Sequence, residues 1–250
     1  MQNPRILLIT GGSRGIGAAT VRRAAAAGYT VLFSYVRAGA AAETLCQEIA
    51  AAGGSAYAVQ ADMTVEAEIL RLFETIDTRY GPLCALVNNA GIAERQIRVD
   101  EMDAARLTRV FATNVIGPFL CAREAVKRMS TRHGGNGGAI VNVSSAAARL
   151  GSPGEYVDYA ASKGALDTFT TGLAKEVATE GIRVNAVRPG LIYTEIHASY
   201  GDPGRVDRVR VSVPMQRGGT AEEVAEAIIW LLGEQASYCV GNFIDVSGGR

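Results

Sequence analysis

The chain has 250 residues, and its 25 Lys and Arg balance its 25 Asp and Glu. No global field therefore draws it to nucleic acid or to an anionic membrane, and its arginines are dispersed among acids rather than gathered in a basic stripe. An apolar content of 48% supplies a sizeable core, in one large α/β domain or two small ones.

Short apolar runs alternate with helical patterns from end to end. The expected order is strand Arg5–Thr10, helix Ile16–Ala27, strand Thr30–Tyr35, helix Ala40–Ala52, strand Ala56–Gln60 and helix Val65–Arg79. Strand Ala85–Asn88 follows, then a long helix Asp103–Arg132, strand Ala139–Val143, helix Tyr159–Thr179 and strand Arg183–Ala186. Helix Ala221–Leu232 and strand Phe243–Val246 complete the chain. Apolar strands alternating with helices predict an α/β fold: a Rossmann-type, doubly wound parallel sheet of about seven strands with helices on both faces. Gly28, Gly53 and Gly181 stand where helix C-termini need a left-handed residue.

No repeat, linker or composition break marks a second domain, so residues 1–250 are expected to form one. One segment, 191–219, breaks the alternation: it carries Gly, Pro and scattered charges, with weak helical character at Arg205–Val211. A long irregular segment in a compact domain is usually functional, and this one is expected to be a substrate lid. Cys46, Cys84, Cys121 and Cys239 are far apart and form no CxxC pair, which points to reduced thiols. The run Ile6–Ile9 is too short for a signal peptide's apolar region, and no transmembrane segment is evident. A soluble, cytoplasmic protein is expected.

The most informative motif is Tyr159-Ala-Ala-Ser-Lys163, preceded by Ser144-Ser145 at a strand end. Residues four apart share a helix face, so an ammonium is placed beside a phenol. A cation about 4 Å away, at an effective dielectric near 20, stabilises a phenolate by roughly 4 kcal/mol. That lowers its pKa by on the order of three units before desolvation takes some back. The pair has the composition of a tuned general acid/base. Lysine occurs only at 127, 163 and 175, so chance pairing at this offset is infrequent.

Thr10-Gly11-Gly12-Ser13-Arg14-Gly15-Ile16-Gly17 lies between the first strand and the first helix. Glycines allow a tight turn and close backbone approach, and the helix N-terminus offers free N–H groups to phosphate. In that place the turn is a nucleotide site, although its spacing is not GxGxxG.

These residues, with Asn88-Asn89-Ala90-Gly91, Asn114, Ser145 and Pro189-Gly190, resemble the short-chain dehydrogenase/reductase family over essentially the whole chain. The resemblance implies a nicotinamide cofactor bound by Gly11, Ser13, Arg14, Gly15, Ile16 and Gly17. It implies Asp62 and Met63 at the adenine, with Asn88, Ala90 and Gly91 at the adjoining ribose. Pro189, Gly190, Ile192 and Thr194 are expected at the nicotinamide. Relatives that prefer NAD place an acid at the end of the second strand. Tyr35 stands there instead, and Arg37 with Arg14 could hold a 2′-phosphate, so NADP(H) is expected.

The resemblance also implies the catalytic set Asn114, Ser145, Tyr159 and Lys163. Tyr159 would give the proton, Ser145 would bond the carbonyl oxygen, and Lys163 would lower the Tyr159 pKa and bond the nicotinamide ribose. Asn114 would hold a water linking Lys163 to solvent; the alternative is a helix-kink residue, since Gly117-Pro118 follow. Family members place the serine thirteen positions before the tyrosine, whereas Ser145 lies fourteen before Tyr159. One extra residue in the Leu150–Asp158 loop leaves Ser145 in place; the alternative donor is Ser144. Glu94, Arg95 and Tyr156 fall near the expected substrate mouth, with Tyr193 and Tyr200 on the lid. His133 and His197 have no neighbours at metal-ligand spacing, so no metal site is expected.

The implied activity is NADP(H)-dependent interconversion of a small-molecule carbonyl and an alcohol, similar to 3-oxoacyl reductases. Sugar oxidation, as in glucose 1-dehydrogenase-like relatives, is the alternative. From another class, a non-catalytic NADP(H)-binding sensor shares the fold. A homotetramer is implied, with contacts from the helix through Arg106–Arg128, the helix after Tyr159 and the C-terminal Phe243–Arg250.

Overall fold

The computed structural model describes residues 5–196 and 201–250. Seven strands form one parallel sheet: β1 (Arg5–Ile9), β2 (Tyr29–Tyr35), β3 (Ser55–Gln60), β4 (Leu83–Asn88), β5 (Gly138–Val143), β6 (Ile182–Pro189) and β7 (Phe243–Val246). Their spatial order is β3-β2-β1-β4-β5-β6-β7. The chain winds outward from β1 to β3, then crosses to β4 on the other side of β1. Open α/β sheets bind ligands at that switch, beyond the carboxyl ends of the strands.

Alternation along β1 feeds two cores. Leu7 and Ile9 join Val31, Phe33, Val87 and Val141 on one face. There they meet α1 (Gly15–Ala26), α2 (Gly39–Ala51) and the helix Ala221–Leu232 through Val21, Leu45 and Ile228. Ile6 and Leu8 join Leu32, Leu86 and Ile140 on the other face. That side packs on α3 (Glu66–Arg79), α5 (Gly117–Met129) and α7 (Val157–Val177) through Phe73, Ala125 and Ala174. Strands buried on both faces explain the near-continuous apolar runs of the sequence. Gly28, Gly53 and Gly181 take the expected left-handed conformation, at φ 83°, 78° and 78°.

The single long helix expected over 103–132 is divided. Asp103 caps α4 (Ala104–Phe111) by accepting from the Arg106 N–H at 2.7 Å, and a π-helical turn over Ala112–Ile116 leads into α5. Pro118 is the cause: it has no N–H for the carbonyl four residues back, that of Asn114. The Gly117 N–H bonds the carbonyl of Ala112, five residues back. Asn114 thus lies inside the kinked turn, a position compatible with both readings of it from the sequence.

Of segment 191–219, residues 191–196 and 201–219 are described. An isolated bridge ties Ile192 to Gly219, and between them lies the short helix Arg205–Val209. Leu191, Val206 and Val213 form a small apolar cluster of their own. Among the described residues, no helix is long and apolar enough to cross a membrane.

Candidate active site

A cleft of about 1170 Å³ opens at the carboxyl ends of β1, β2, β4, β5 and β6, and Leu191, Ile192, Thr194, Glu195, Ile196 and Arg205 contribute to its lining. At one end is the glycine turn. Gly11 and Gly15 hold φ of 65° and 53°, and a Cβ on Gly17 would stand 2.3 Å from the Gly11 carbonyl oxygen, so no larger residue fits there. The turn is fastened from two sides. The Gly11 N–H donates to Ser34 Oγ at 3.0 Å, and Asn89 Nδ2 donates to the carbonyls of Thr10 and Gly11, each at 2.9 Å.

The first turn of α1 has no side-chain cap and no acidic residue, so its N–H groups and positive dipole end face the cleft unopposed. An uncapped helix start behind a glycine cradle fits a dinucleotide's pyrophosphate. Of the residues expected to hold the cofactor, Gly11, Ser13, Arg14, Gly15, Ile16, Gly17, Tyr35, Arg37, Asp62, Met63, Ala90, Gly91, Pro189, Gly190, Ile192 and Thr194 all line the cleft.

Asn88 does not. Its side chain turns into the sheet, where Nδ2 donates to Asn142 Oδ1 at 2.9 Å on the paired strand and to the Pro118 carbonyl at 3.4 Å. Asn142 passes the chain to Thr170 on α7 at 2.8 Å. A buried amide needs partners, and the strand's alternation points this one away from the cleft. Asn89, next to it, ties the end of β4 to Thr10 and also lines the cleft.

At the other end stand Ser145, Tyr159 and Lys163. Ser145 Oγ accepts from the Ala147 N–H at 3.1 Å and lies close enough to the Tyr159 phenol to lower its pKa. Ser144 points the other way: its hydroxyl donates to Asp167 Oδ1 at 2.5 Å and lies 3.3 Å from the Lys163 carbonyl. The alternative that Ser144 faces Tyr159 is therefore not what the fold provides. The loop that carries the long spacing turns at Gly151, Ser152 and Gly154, all with positive φ.

The expected depression of the Tyr159 pKa is reversed. Burial pushes the phenol up to about 12, with the Ser145 hydrogen bond acting against the rise and Tyr156 adding to it. Lys163 Nζ lies 5.7 Å from the centre of the Tyr159 ring and donates instead to the Val143 carbonyl at 2.8 Å. A buried ammonium must find an acceptor, and a strand-end carbonyl supplies it. Burial also pulls Lys163 down to about 8, against the opposing charge of Asp167. At neutral pH the site thus holds a phenol and an ammonium.

Asn114 is fully buried and lies outside the cleft lining. Its Oδ1 accepts from the Ile92 N–H at 2.8 Å, while Nδ2 donates to the Ile92 carbonyl at 2.8 Å and to Ser162 Oγ at 3.0 Å. The side chain is a clamp between the Gly91–Ile92 loop and α7. A Cβ on Gly91 would lie 3.4 Å from both Asn114 Oδ1 and Lys163 Nζ, so clamp and ammonium share one small space.

Around the substrate mouth, Tyr156 lines the cleft and meets Tyr159 edge-on, ring centres 6.1 Å apart. Glu94 and Arg95 stay off the lining: Glu94 pairs with Arg109 at 2.8 Å, and the Arg95 carbonyl accepts from Arg106 Nη1 at 2.6 Å. Tyr193 is exposed, with its hydroxyl donating to Asp207 at 2.8 Å. Tyr200 and His197 lie outside the described residues. Among the described residues, no group of three His, Cys, Asp or Glu side chains could hold a metal.

Two ion pairs at this end carried no sequence signal, because their partners lie about 50 residues apart. Arg205, 5% exposed, binds the Glu155 carboxylate at 2.6 and 3.1 Å and stacks over the Tyr156 ring at 5.1 Å. Arg106, also 5% exposed, binds Asp158 at 2.7 and 3.2 Å.

The model of a family described as enoyl-(acyl carrier protein) reductase matches residues 11–250. An uncharacterized oxidoreductase, YgfF, of Escherichia coli is 61% identical over 98% of this chain and 99% of its own. A 3-oxoacyl-[acyl-carrier-protein] reductase of Synechocystis is 36% identical over 98% and 96%. Among solved structures, a blue fluorescent protein from a metagenomic library, in complex with NADPH, superposes with a TM-score of 0.90 at 34% identity, covering 99% of this chain and 98% of its own. A 3-ketoacyl-(acyl-carrier-protein) reductase of Brucella melitensis, complexed with NADH, has the same TM-score and coverage at 32% identity.

Proposed function

This chain belongs to the short-chain dehydrogenase/reductase family and is an oxidoreductase of that type, and we propose that it is an NADP(H)-dependent reductase of a small-molecule carbonyl. The observation that carries the proposal is one assembly in the cleft: Ser145 and the Tyr159 phenol side by side, with buried Lys163 one turn further along α7, in a cleft continuous with an uncapped, glycine-lined helix start.

The nicotinamide, when bound, supplies or accepts the hydride. The chain's own residues handle the oxygen and its proton. Ser145, oriented by the Ala147 N–H, turns its hydroxyl toward the oxygen on which charge develops, and contributes more in the transition state than before it. Tyr159 is protonated at neutral pH, the form that gives a proton to a nascent alkoxide. Lys163 keeps positive charge beside that phenol as it becomes phenolate. Asn114 holds the Gly91–Ile92 loop against α7 and so fixes the wall facing Lys163.

NADP(H) is favoured over NAD(H) because Tyr35 replaces an acid at the end of β2 while Arg14 and Arg37, both exposed, line the same end of the cleft. The similarity to 3-oxoacyl reductases extends the proposal to 3-oxoacyl or related carbonyls. Segment 191–219 serves as the lid of one catalytic domain, in a soluble cytoplasmic protein. A homotetramer is supported by an exposed groove of about 440 Å³ on α5 and α7, where Phe119 stacks on Phe169 with ring centres 3.7 Å apart. A monomeric mass in light scattering at micromolar concentration would contradict that assembly. NADPH oxidation against a panel of 3-oxoacyl thioesters, diketones, quinones and aldehydes tests the activity, with sugars and NADP in reverse.

A further inference from the structure

We propose that Asp167 is a positioning residue for the acid–base pair: its carboxylate, locked between Ser144 and Arg188, sets the protonation of Lys163. The inference rests on Lys163 serving Tyr159 as described above.

Tyr159, Lys163 and Asp167 follow one another at intervals of four on α7 and so share a face. Asp167 is held at both oxygens. Oδ1 accepts from the Ser144 hydroxyl at 2.5 Å, and Oδ2 accepts from Arg188 Nε at 2.8 Å with Nη2 also at 2.8 Å. Arg188, on β6, is itself fixed, stacked over the Phe243 ring at 3.9 Å and 4.0 Å from Asp245 Oδ1. Asp245 pairs in turn with Arg149 at 3.1 Å. The side chains of Asp167 and Arg188 are only 14% and 16% exposed, so the charges are stationary and poorly screened.

Lys163 Nζ is spoken for by the Val143 carbonyl, and Asp167 cannot leave its two partners to meet it. The carboxylate therefore acts across one helical turn, without contact. Among the described residues, the groups placed near the Lys163 ammonium carry no charge at neutral pH: the Val143 carbonyl at the end of β5, Asn114 from the π-helical turn, Gly91 from its loop and Tyr159 from its own helix. Burial depresses the ammonium to about 8, and Asp167 opposes that fall. Arg188 offsets part of the Asp167 charge, so the two residues pull Lys163 in opposite directions. Ser144 has its role here, fastening the strand end that carries Ser145 to the helix that carries Lys163.

The test needs no substrate, because the chain has only three lysines, Lys127, Lys163 and Lys175. Labelling the lysine ε-carbon and following its NMR shift with pH reads all three, and Lys163→Arg assigns the signal. In Asp167→Asn the Lys163 midpoint should fall by on the order of one unit, and in Arg188→Gln it should rise. Asp167→Glu should stay near the parent value, with Lys127 and Lys175 unmoved throughout. An unchanged Lys163 midpoint in Asp167→Asn, or a shift of the same sign in both variants, overturns the inference. If Asp167→Asn fails to fold, Arg188→Gln decides alone: a fall or no change overturns it. Turnover persisting in Tyr159→Phe would sink the acid–base reading separately, without altering what this titration reports.

Discussion

The guanidinium of Arg106 grips the carboxylate of Asp158 through two hydrogen bonds, 2.7 and 3.2 Å, one residue before Tyr159. Its remaining Nη1 holds the Arg95 carbonyl at 2.6 Å, so a single side chain joins α4, the loop after β4 and the start of the helix that carries the acid/base. Breaking a buried pair by removing one partner leaves the other charge uncompensated. Arg106→Met is expected to cost about 3–5 kcal/mol of stability. The double variant with Asp158→Leu should cost less than Arg106→Met alone. Urea unfolding of the parent and the two variants measures this, and equal costs for the single and double variants would refute it.

Ser144 and Ser145 separate by direction. Ser145→Ala should lower kcat by about a hundredfold to a thousandfold, the usual loss for one oxyanion donor. Ser144→Ala should keep turnover within about tenfold and lose about 1–2 kcal/mol of stability, since its hydroxyl bonds Asp167 rather than facing Tyr159. The reverse pattern in steady-state rates would make Ser144 the donor.

The pH profile follows from which group titrates first. With Tyr159 raised to about 12, the proton donor stays loaded through the ordinary range. Lys163, lowered to about 8, loses its charge as pH rises through that value. Carbonyl reduction should therefore hold at neutral pH and decline above about 8. A rate flat up to pH 10 would show that the Lys163 charge is not used.

Cofactor choice tests the far end of the cleft. Replacing both Arg14 and Arg37 by alanine removes the cations available to a 2′-phosphate, each charge-assisted bond contributing about 1.5–3 kcal/mol. NADPH affinity, measured by fluorescence titration, should fall more than tenfold while NADH affinity stays near its starting value. Unchanged NADPH binding would remove the assignment.

Much of this was legible in the chain because the signals are local. The seven strands follow from apolar runs that must be buried on both faces, and the glycine turn from its place between the first strand and the first helix. What escaped depended on direction and distance. Asn88 and Asn89 are indistinguishable as letters, yet the strand turns one into the sheet and the other toward the glycine turn. The Tyr159–Lys163 spacing placed the two on one face but could not weigh burial against charge, and burial prevailed. Arg205 with Glu155 and Arg106 with Asp158 join segments about 50 residues apart, which no periodicity reveals.

The central claim is that Tyr159 donates the proton in a carbonyl reduction. The most direct measurement is NADPH oxidation across the carbonyl panel by the parent protein and by Tyr159→Phe, with NADPH binding measured for both. The account predicts turnover in the parent, a loss on the order of a thousandfold or more in the variant, and cofactor binding unchanged within a few-fold. Turnover retained in Tyr159→Phe, or tight NADPH binding with no turnover of any carbonyl by the parent, would contradict it.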